Sequence, residues 1–190
     1  MNTLQIGEPL QQWLESLPHS VPLRAVSIDS GSPINGGKGL EQLITDSGLP
    51  ADSLITAMLW LRIGVIDIPH NIVQNGTTPL ASYLHGVVHR MEADYWNSKY
   101  WFRQVRDSPL LQSLSNSVER RLKEESLLSM ANSLKIVQGN VFFPGEFVSA
   151  CEEHCQQSQP DSESVVAIER IGWVEWDSLW EIIYRSTVHA

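Results

Sequence analysis

The sequence predicts a mainly α fold, a single domain with orthogonal or bundle-like helix packing. Apolar residues recur every three or four positions through several long segments, which is the spacing of one face of a helix. Prolines and glycines separate these segments. The chain has 190 residues, enough for one domain with a substantial core, and no internal repeat or linker divides it.

The N-terminal part, residues 1–50, is expected to hold a helix and a flexible glycine-rich loop. Apolar spacing predicts the helix from Leu4 to Leu17, with Pro18 ending it. Residues 21–29 lack a helical period and suit a short strand or an extended connection. The loop, SGSPINGGKG, approximates a phosphate-binding loop, but Gly37 displaces the lysine and Gly39 replaces the hydroxyl residue. We therefore expect a flexible loop that could act as a lid, rather than a nucleotide-binding site.

The remaining part, residues 51–190, is expected to form the core that carries the functional motif. A short helix over 39–48, which ends at Gly48, leads into this part, and a buried helix is predicted within 49–65. Residues 68–79 are expected to be a break, with Asn75-Gly76 as its turn.

Four further helices are predicted in the second half of the chain. Pro79 suits a first helical turn capped by Thr77 or Thr78, and that helix is expected to continue to about Arg106. The others are predicted over 109–137, after Pro144 and over 165–188.

Composition narrows the classes of partner. The formal net charge is −9 and the pI is about 5.0, so phosphate backbones and anionic membrane surfaces are disfavoured. The most apolar stretch, within 49–65, is too short to span a bilayer. The start of the sequence lacks the features of a secretory signal, so we expect a cytoplasmic protein. The two cysteines, Cys151 and Cys155, are expected to be helical thiols without a metal.

The segment LHGVVHRMEADYWNSKYWFRQV, residues 84–105, concentrates ionisable and aromatic side chains. If it is one helix, its core-facing stripe has the members Leu84, Val87, Val88, Met91, Tyr95 and Phe102. A second face has the members Ser82, His85, His89, Glu92, Trp96, Tyr100 and Arg103. A third has the members Arg90, Asp94, Asn97 and Trp101.

The second face is typical of a metal or acid–base site. His85, His89 and Glu92 are spaced so that their side chains converge, and two imidazoles with a carboxylate are a common ligand set for zinc or non-haem iron. His70, in the preceding break, is a further candidate ligand. The metal candidates are therefore His70, His85, His89 and Glu92, with zinc or iron as the candidate cofactor.

The same face suggests catalytic and substrate-binding roles. His89 and Glu92 could act as a general acid–base pair, and Arg103 could hold a carboxylate or phosphate of the substrate. The candidate substrate-binding residues are Arg90, Trp96, Asn97, Tyr100 and Trp101. Asn71 and Gln74 could add hydrogen bonds from the break.

A structural role for these residues is the alternative. In that case His89 donates to Glu92, Arg90 pairs with Asp94, and the aromatic side chains belong to the core. A buried polar network would then replace the site.

The central segment resembles an uncharacterised, mostly bacterial family with a motif His-Gly-x-x-His-Arg-x-Glu-x-Asp followed by Asn-x-Lys-Tyr-Trp-Phe-Arg. The matching residues are His85, Gly86, His89, Arg90, Glu92, Asp94, Asn97, Lys99, Tyr100, Trp101, Phe102 and Arg103. FFPGEFVSACE and VEWDSLWEIIYRSTV resemble two further elements of the family. The chain departs from it in having Pro69 before His70 and Leu84 before His85. The resemblance supports a fold and a site location and implies no particular chemistry.

Three classes of function follow from these observations. The protein is a metal-dependent or acid–base enzyme acting on a small polar or anionic molecule, a small-molecule-binding module, or a structural helical domain. In the last class the tryptophan-rich C-terminal segment packs on its own chain or against a second copy in a homodimer. The sequence favours the first two classes, in which a pocket on this segment binds a small molecule or acts on it as an enzyme.

Overall fold

The structure, a computed structural model, describes residues 6–25, 37–156 and 162–188 and confirms the mainly α, single-domain fold. Ten helices and one two-stranded hairpin occur among these residues. The helices are α1 Glu8–Ser16, α2 Gly37–Asp46, α3 Leu54–Arg62, α4 Asp67–Val73, α5 Pro79–Met91, α6 Tyr95–Gln104, α7 Pro109–Glu124, α8 Leu128–Ser133, α9 Pro144–Gln156 and α10 Ser162–Val188. The hairpin pairs β1 Val137–Gln138 with β2 Val141–Phe142, antiparallel.

Several predicted boundaries are confirmed by local hydrogen bonds. The Ser53 side chain accepts from the N–H of Thr56 and caps α3, and Thr78 caps α5 by accepting from the N–H of Ala81. Pro79 is the first residue of α5, where its missing N–H costs no helical hydrogen bond. Gly48, just beyond α2, has a φ of 66°, a left-handed conformation that glycine adopts without strain.

Three predictions about helix extent are wrong. Residues 67–73 form α4, whereas a break was expected over 68–79; Pro69 sits in the first turn of that helix, where proline is tolerated. The helix expected over 109–137 ends at Glu124, because Ser126 takes a left-handed φ of 59° before α8 begins. The helix expected to reach Arg106 also breaks, as described below.

Some predictions fall partly or wholly outside the described residues. The glycine-rich loop lies in 26–36 except for its last residues, which belong to α2. Residues 21–25 form no strand, and the rest of the strand candidate is not described.

The C-terminal helix packs on its own chain. Helix α10 contacts α3, α7 and α9. Trp173, Trp176 and Trp180 stack along it with ring centroids 5.1–5.2 Å apart, and Arg62 lies over the first two rings. Two backbone carbonyls, of Pro18 and Ser20, accept hydrogen bonds from the buried Arg62 guanidinium. Burial lowers the pKa of Arg62 to about 10. No helix of the described chain has the length and apolarity needed to cross a membrane.

Candidate metal centre

A sharp turn at residues 92–94 divides the central segment. Helix α5 ends at Met91, Ala93 has a left-handed φ of 63°, and α6 begins at Tyr95. The Asp94 side chain caps α6 by accepting from the N–H of Asn97. The prediction of one continuous helix is therefore wrong, and residues after the turn do not share the helical faces assigned to those before it.

Helices α5 and α6 fold back on each other as a close antiparallel pair. The Ser98 hydroxyl donates to the carbonyl of Gly86 at 2.7 Å, and the Phe102 ring lies over the same glycine. A Cβ at position 86 would lie 2.9 Å from the nearest ring carbon of Phe102. Gly86 thus allows the close approach that holds α6 beside the histidines of α5.

Three histidines from two helices converge beside this turn. One side-chain nitrogen from each of His70, His85 and His89 lies within 4.8 Å of the other two. His85 and His89 are one turn apart on α5, so their rings stack at a centroid distance of 4.8 Å. Helix α4 contacts α5 and brings Nε2 of His70 to 3.2 Å from Nε2 of His85. Two nitrogens bound to one tetrahedral zinc ion lie about 3.3 Å apart, so this separation already suits a shared metal.

Glu92 lies on the outer side of two of these rings. Its Oε1 is 3.1 Å from Nδ1 of His70, and its Oε2 is 2.9 Å from Nδ1 of His89. The first contact is a hydrogen bond; the second has the distance but lacks the alignment of one. A proton on Nδ1 of His70 would face the carboxylate, which leaves the Nε2 lone pair of that ring available to a cation.

The depth of the three histidines is graded. The His85 residue is only 5% exposed, whereas the side chains of His89 and His70 are 12% and 33% exposed. Burial, with smaller contributions from His89 and His70, lowers the pKa of His85 to about 4. His85 is consequently neutral near pH 7, the form that ligates metals. Its Nδ1 is buried with no hydrogen-bond partner among the described residues.

Trp101 covers the deep end of the cluster. Its ring stacks on His85 at a centroid distance of 4.2 Å and an interplanar angle of 20°. Tyr100 meets the Trp101 ring edge-on at 5.6 Å, and Trp96 lies beyond Tyr100, 72% exposed. Trp101 was expected on a different helical face from the histidines. Because the chain turns at Ala93, its ring instead packs against His85.

Arg90 belongs to a buried ion pair. Its guanidinium makes two hydrogen bonds to the Glu175 carboxylate, at 3.2 and 2.5 Å, and Tyr83 donates to the same carboxylate at 2.7 Å. Burial opposes the charge of Arg90, but Glu175 outweighs that effect and raises the Arg90 pKa. The expected substrate-binding role of Arg90 and its alternative pairing with Asp94 are both wrong, because the side chain is occupied and enclosed.

The remaining predicted residues lie away from the histidine nitrogens or have other partners. The Asn97 side-chain amide donates to Asp94 at 2.6 Å, which also lowers the pKa of Asp94. Gln74 donates to Asn71, and both are exposed. Arg103 is exposed and lines a separate cavity with residues of α7 and α9, so its expected position beside His89 is wrong. Cys151 and Cys155 are both free thiols on α9.

Sequence reasoning missed the partner of Arg90. Glu175 lies 85 residues further along the chain, and nothing in its local sequence distinguishes it from the four other acidic residues of α10. His70 was expected as a further metal ligand, and helix α4 places it in the cluster.

No family model, curated protein or solved structure matches this chain. The family resemblance of the central segment therefore stays a prediction, and function is argued from the geometry.

Proposed function

We propose that the protein binds a divalent metal ion, zinc or iron(II), through Nε2 of His70 and His89 and one ring nitrogen of His85. The convergence of three histidine nitrogens within 4.8 Å of one another carries this proposal. Three imidazoles are an established ligand set for a catalytic zinc ion, with the fourth position left to water or substrate.

The donor set is complementary to a dication. His85 is neutral because of its burial, so it offers a lone pair without first releasing a proton. Glu92 can hold the Nδ1–H group of His70 and thereby fix the tautomer and orientation of that imidazole, and it also lies 2.9 Å from Nδ1 of His89. Glu92 was expected to be a metal ligand. Its close contacts with two Nδ1 atoms instead favour a role in orienting the histidine ligands.

The side chains around the three histidines determine which chemistry a bound metal would support. A metal bound here would acidify a water molecule or polarise a substrate oxygen. Trp101 encloses the His85 side and excludes water, while the more exposed His70 side is the approach for a small polar or anionic substrate. Glu92 would act on the metal through His70, because a carboxylate that accepts from Nδ1–H makes the imidazole a stronger ligand. We therefore favour a metal-dependent hydrolytic or oxygen-using reaction on a small molecule.

A buried polar network is the second candidate. The 3.2 Å separation of Nε2 atoms in His70 and His85 also fits a hydrogen bond between two neutral imidazoles. In that case the cluster would brace α4 against α5 without a ligand.

Elemental analysis separates the two candidates. The protein is purified without a histidine tag, beside His89→Ala, with His154→Ala as a control because His154 lies on α9 and outside the cluster. We expect near-stoichiometric zinc or iron in the wild type and the control, and none in folded His89→Ala. Metal-free wild type that also fails to take up added zinc or iron(II) would reject the proposal, and loss of folding in His89→Ala would then favour the polar network.

A further inference from the structure

A second cavity, of about 600 Å³, lies on the other side of α6 from the histidine centre. Lys99 and Arg103 lie one turn apart on one face of α6, and Arg106 lies in the turn that follows this helix. The Trp101 ring stacks on His85. Arg103 lies two residues further along α6, so its side chain leaves the helix about 200° around the axis from Trp101, on the opposite face. The two sites are therefore separate.

The wall of this cavity is largely apolar. Phe102 forms part of the base, and Leu111 of α7 and Phe143 before α9 form the sides. Val141 of the hairpin, 41% exposed, is one of the few large apolar side chains of the described chain that remain open to solvent. A cavity of this size with apolar walls and a few charged groups has the character of a small-molecule site.

Two arginines at the cavity have no partner among the residues that the structure describes. Neither Arg103 nor Arg106 forms an ion pair or a side-chain hydrogen bond with any described residue, although Lys99 beside them pairs with Glu152 at 3.0 Å. Elsewhere in the described chain the arginines have carboxylate or carbonyl partners. Those arginines are Arg24, Arg62, Arg90, Arg120, Arg121, Arg170 and Arg185. With 22 acidic residues available in the chain, two adjacent unpaired arginines stand out.

We propose that this cavity binds a small carboxylic acid with an apolar body, with its carboxylate on Arg103 and Arg106. A guanidinium offers paired N–H donors that match the two oxygens of a carboxylate, and the second arginine, three residues further along the chain, adds another cation. Phe102, Leu111 and Phe143 then receive the apolar part of the ligand. This site does not depend on the metal centre.

Two carboxylates also line the cavity, and their negative charge should oppose the binding of an anion. These are Asp107 and Glu146, and neither pairs with Arg103 or Arg106. A bound carboxylate would be repelled by both. Removing the charge of Glu146 should therefore strengthen binding, whereas removing the arginine charges should weaken it.

The test is an NMR titration of the ¹⁵N-labelled full chain with 3-phenylpropionate as the probe. The matched neutral compound is 3-phenylpropionamide, and inorganic phosphate tests the charge without the apolar body. The variants are the double substitution Arg103→Gln/Arg106→Gln, the single substitution Glu146→Gln, and Arg120→Gln as the control, because Arg120 is an arginine outside the cavity lining.

We expect saturable shifts of cavity amides with 3-phenylpropionate, and binding at least about five-fold weaker in the double arginine variant. Glu146→Gln should bind more tightly than the wild type, and Arg120→Gln should bind equally. Equal binding of the amide and the acid, an unchanged affinity in the double variant, or phosphate binding as tight as that of 3-phenylpropionate would each overturn the proposal.

Discussion

Glu92 Oε1 lies 3.1 Å from Nδ1 of His70, although the two residues are 22 positions apart and belong to different elements. The second oxygen of the same carboxylate is 2.9 Å from Nδ1 of His89. One side chain at the end of α5 thus lies close to Nδ1 of two histidines of the cluster. This relationship links the turn at residues 92–94 to the proposed metal chemistry.

Replacing Glu92 by Gln should weaken zinc binding by about 10- to 100-fold. A carboxylate offers an acceptor to each histidine, whereas a side-chain amide offers one acceptor and turns its NH₂ group toward the other Nδ1–H. Competition titration against a zinc chelator measures the change. Glu119→Gln is the matched control, because Glu119 pairs with Lys123 on the surface of α7; equal affinity in both variants would remove the orienting role of Glu92.

Breaking the buried Arg90–Glu175 pair should destabilise the fold strongly. Glu175→Ala leaves the Arg90 guanidinium buried without its carboxylate, a loss of about 3–5 kcal/mol in the free energy of unfolding. Urea unfolding of the metal-free protein measures it. Arg120→Gln, which removes exposed pairs with Glu124 and Glu181, should cost less than about 1 kcal/mol; a similar small loss for Glu175→Ala would show that the pair is not enclosed.

Substitution of Gly86 by Ala should lower stability despite the better helix propensity of alanine. The gain in propensity is about 1 kcal/mol, but the new methyl group would press on the Phe102 ring, and such overpacking costs about 1–3 kcal/mol. Thermal unfolding measures the balance. The double variant Gly86→Ala/Phe102→Leu should recover part of the loss; a lack of recovery would place the strain elsewhere.

The Cys151 thiol should resist alkylation in the folded protein. Burial raises its pKa from 9.0 to about 12, with Glu175 acting in the same direction and Arg90 opposing it. A raised thiol pKa means less of the reactive thiolate at any given pH, so the native protein at pH 8 should react with iodoacetamide chiefly at Cys155. Mass spectrometry after timed quenching measures this in wild type and Cys155→Ser. Rapid labelling of Cys151 in native Cys155→Ser would contradict the enclosed environment of the Arg90–Glu175 pair.

The fold was predictable wherever local chemistry determines an element. The cap at Thr78, the first-turn proline of α5 and the apolar spacing of α10 are all readable within a few residues of sequence. The turn at Ala93 was not, because alanine favours helices and gives no sign of a left-handed conformation. The tertiary pairing of α5 with α6 overrides that preference.

The candidate site was only partly predictable for the same reason. His85 and His89 share a face because they lie one turn apart on one helix, which spacing alone reveals. The position of His70 depends on the packing of α4, and the role of Arg90 depends on Glu175 in α10. Arg103 and Trp101 exchanged their expected positions relative to the histidines once the helix was divided. The local sequence pattern therefore indicated where the candidate site lies, and long-range packing determines which residues belong to it.

An anomalous difference map from crystals grown with zinc would test the metal centre most directly, with data collected on both sides of the zinc absorption edge. The proposal predicts a zinc peak about 2.0–2.1 Å from a nitrogen of each of His70, His85 and His89, with Glu92 on the Nδ1 side of His70 and His89 and outside the coordination sphere. A map with no peak between the three rings, at a zinc concentration that fills surface sites elsewhere, would contradict it.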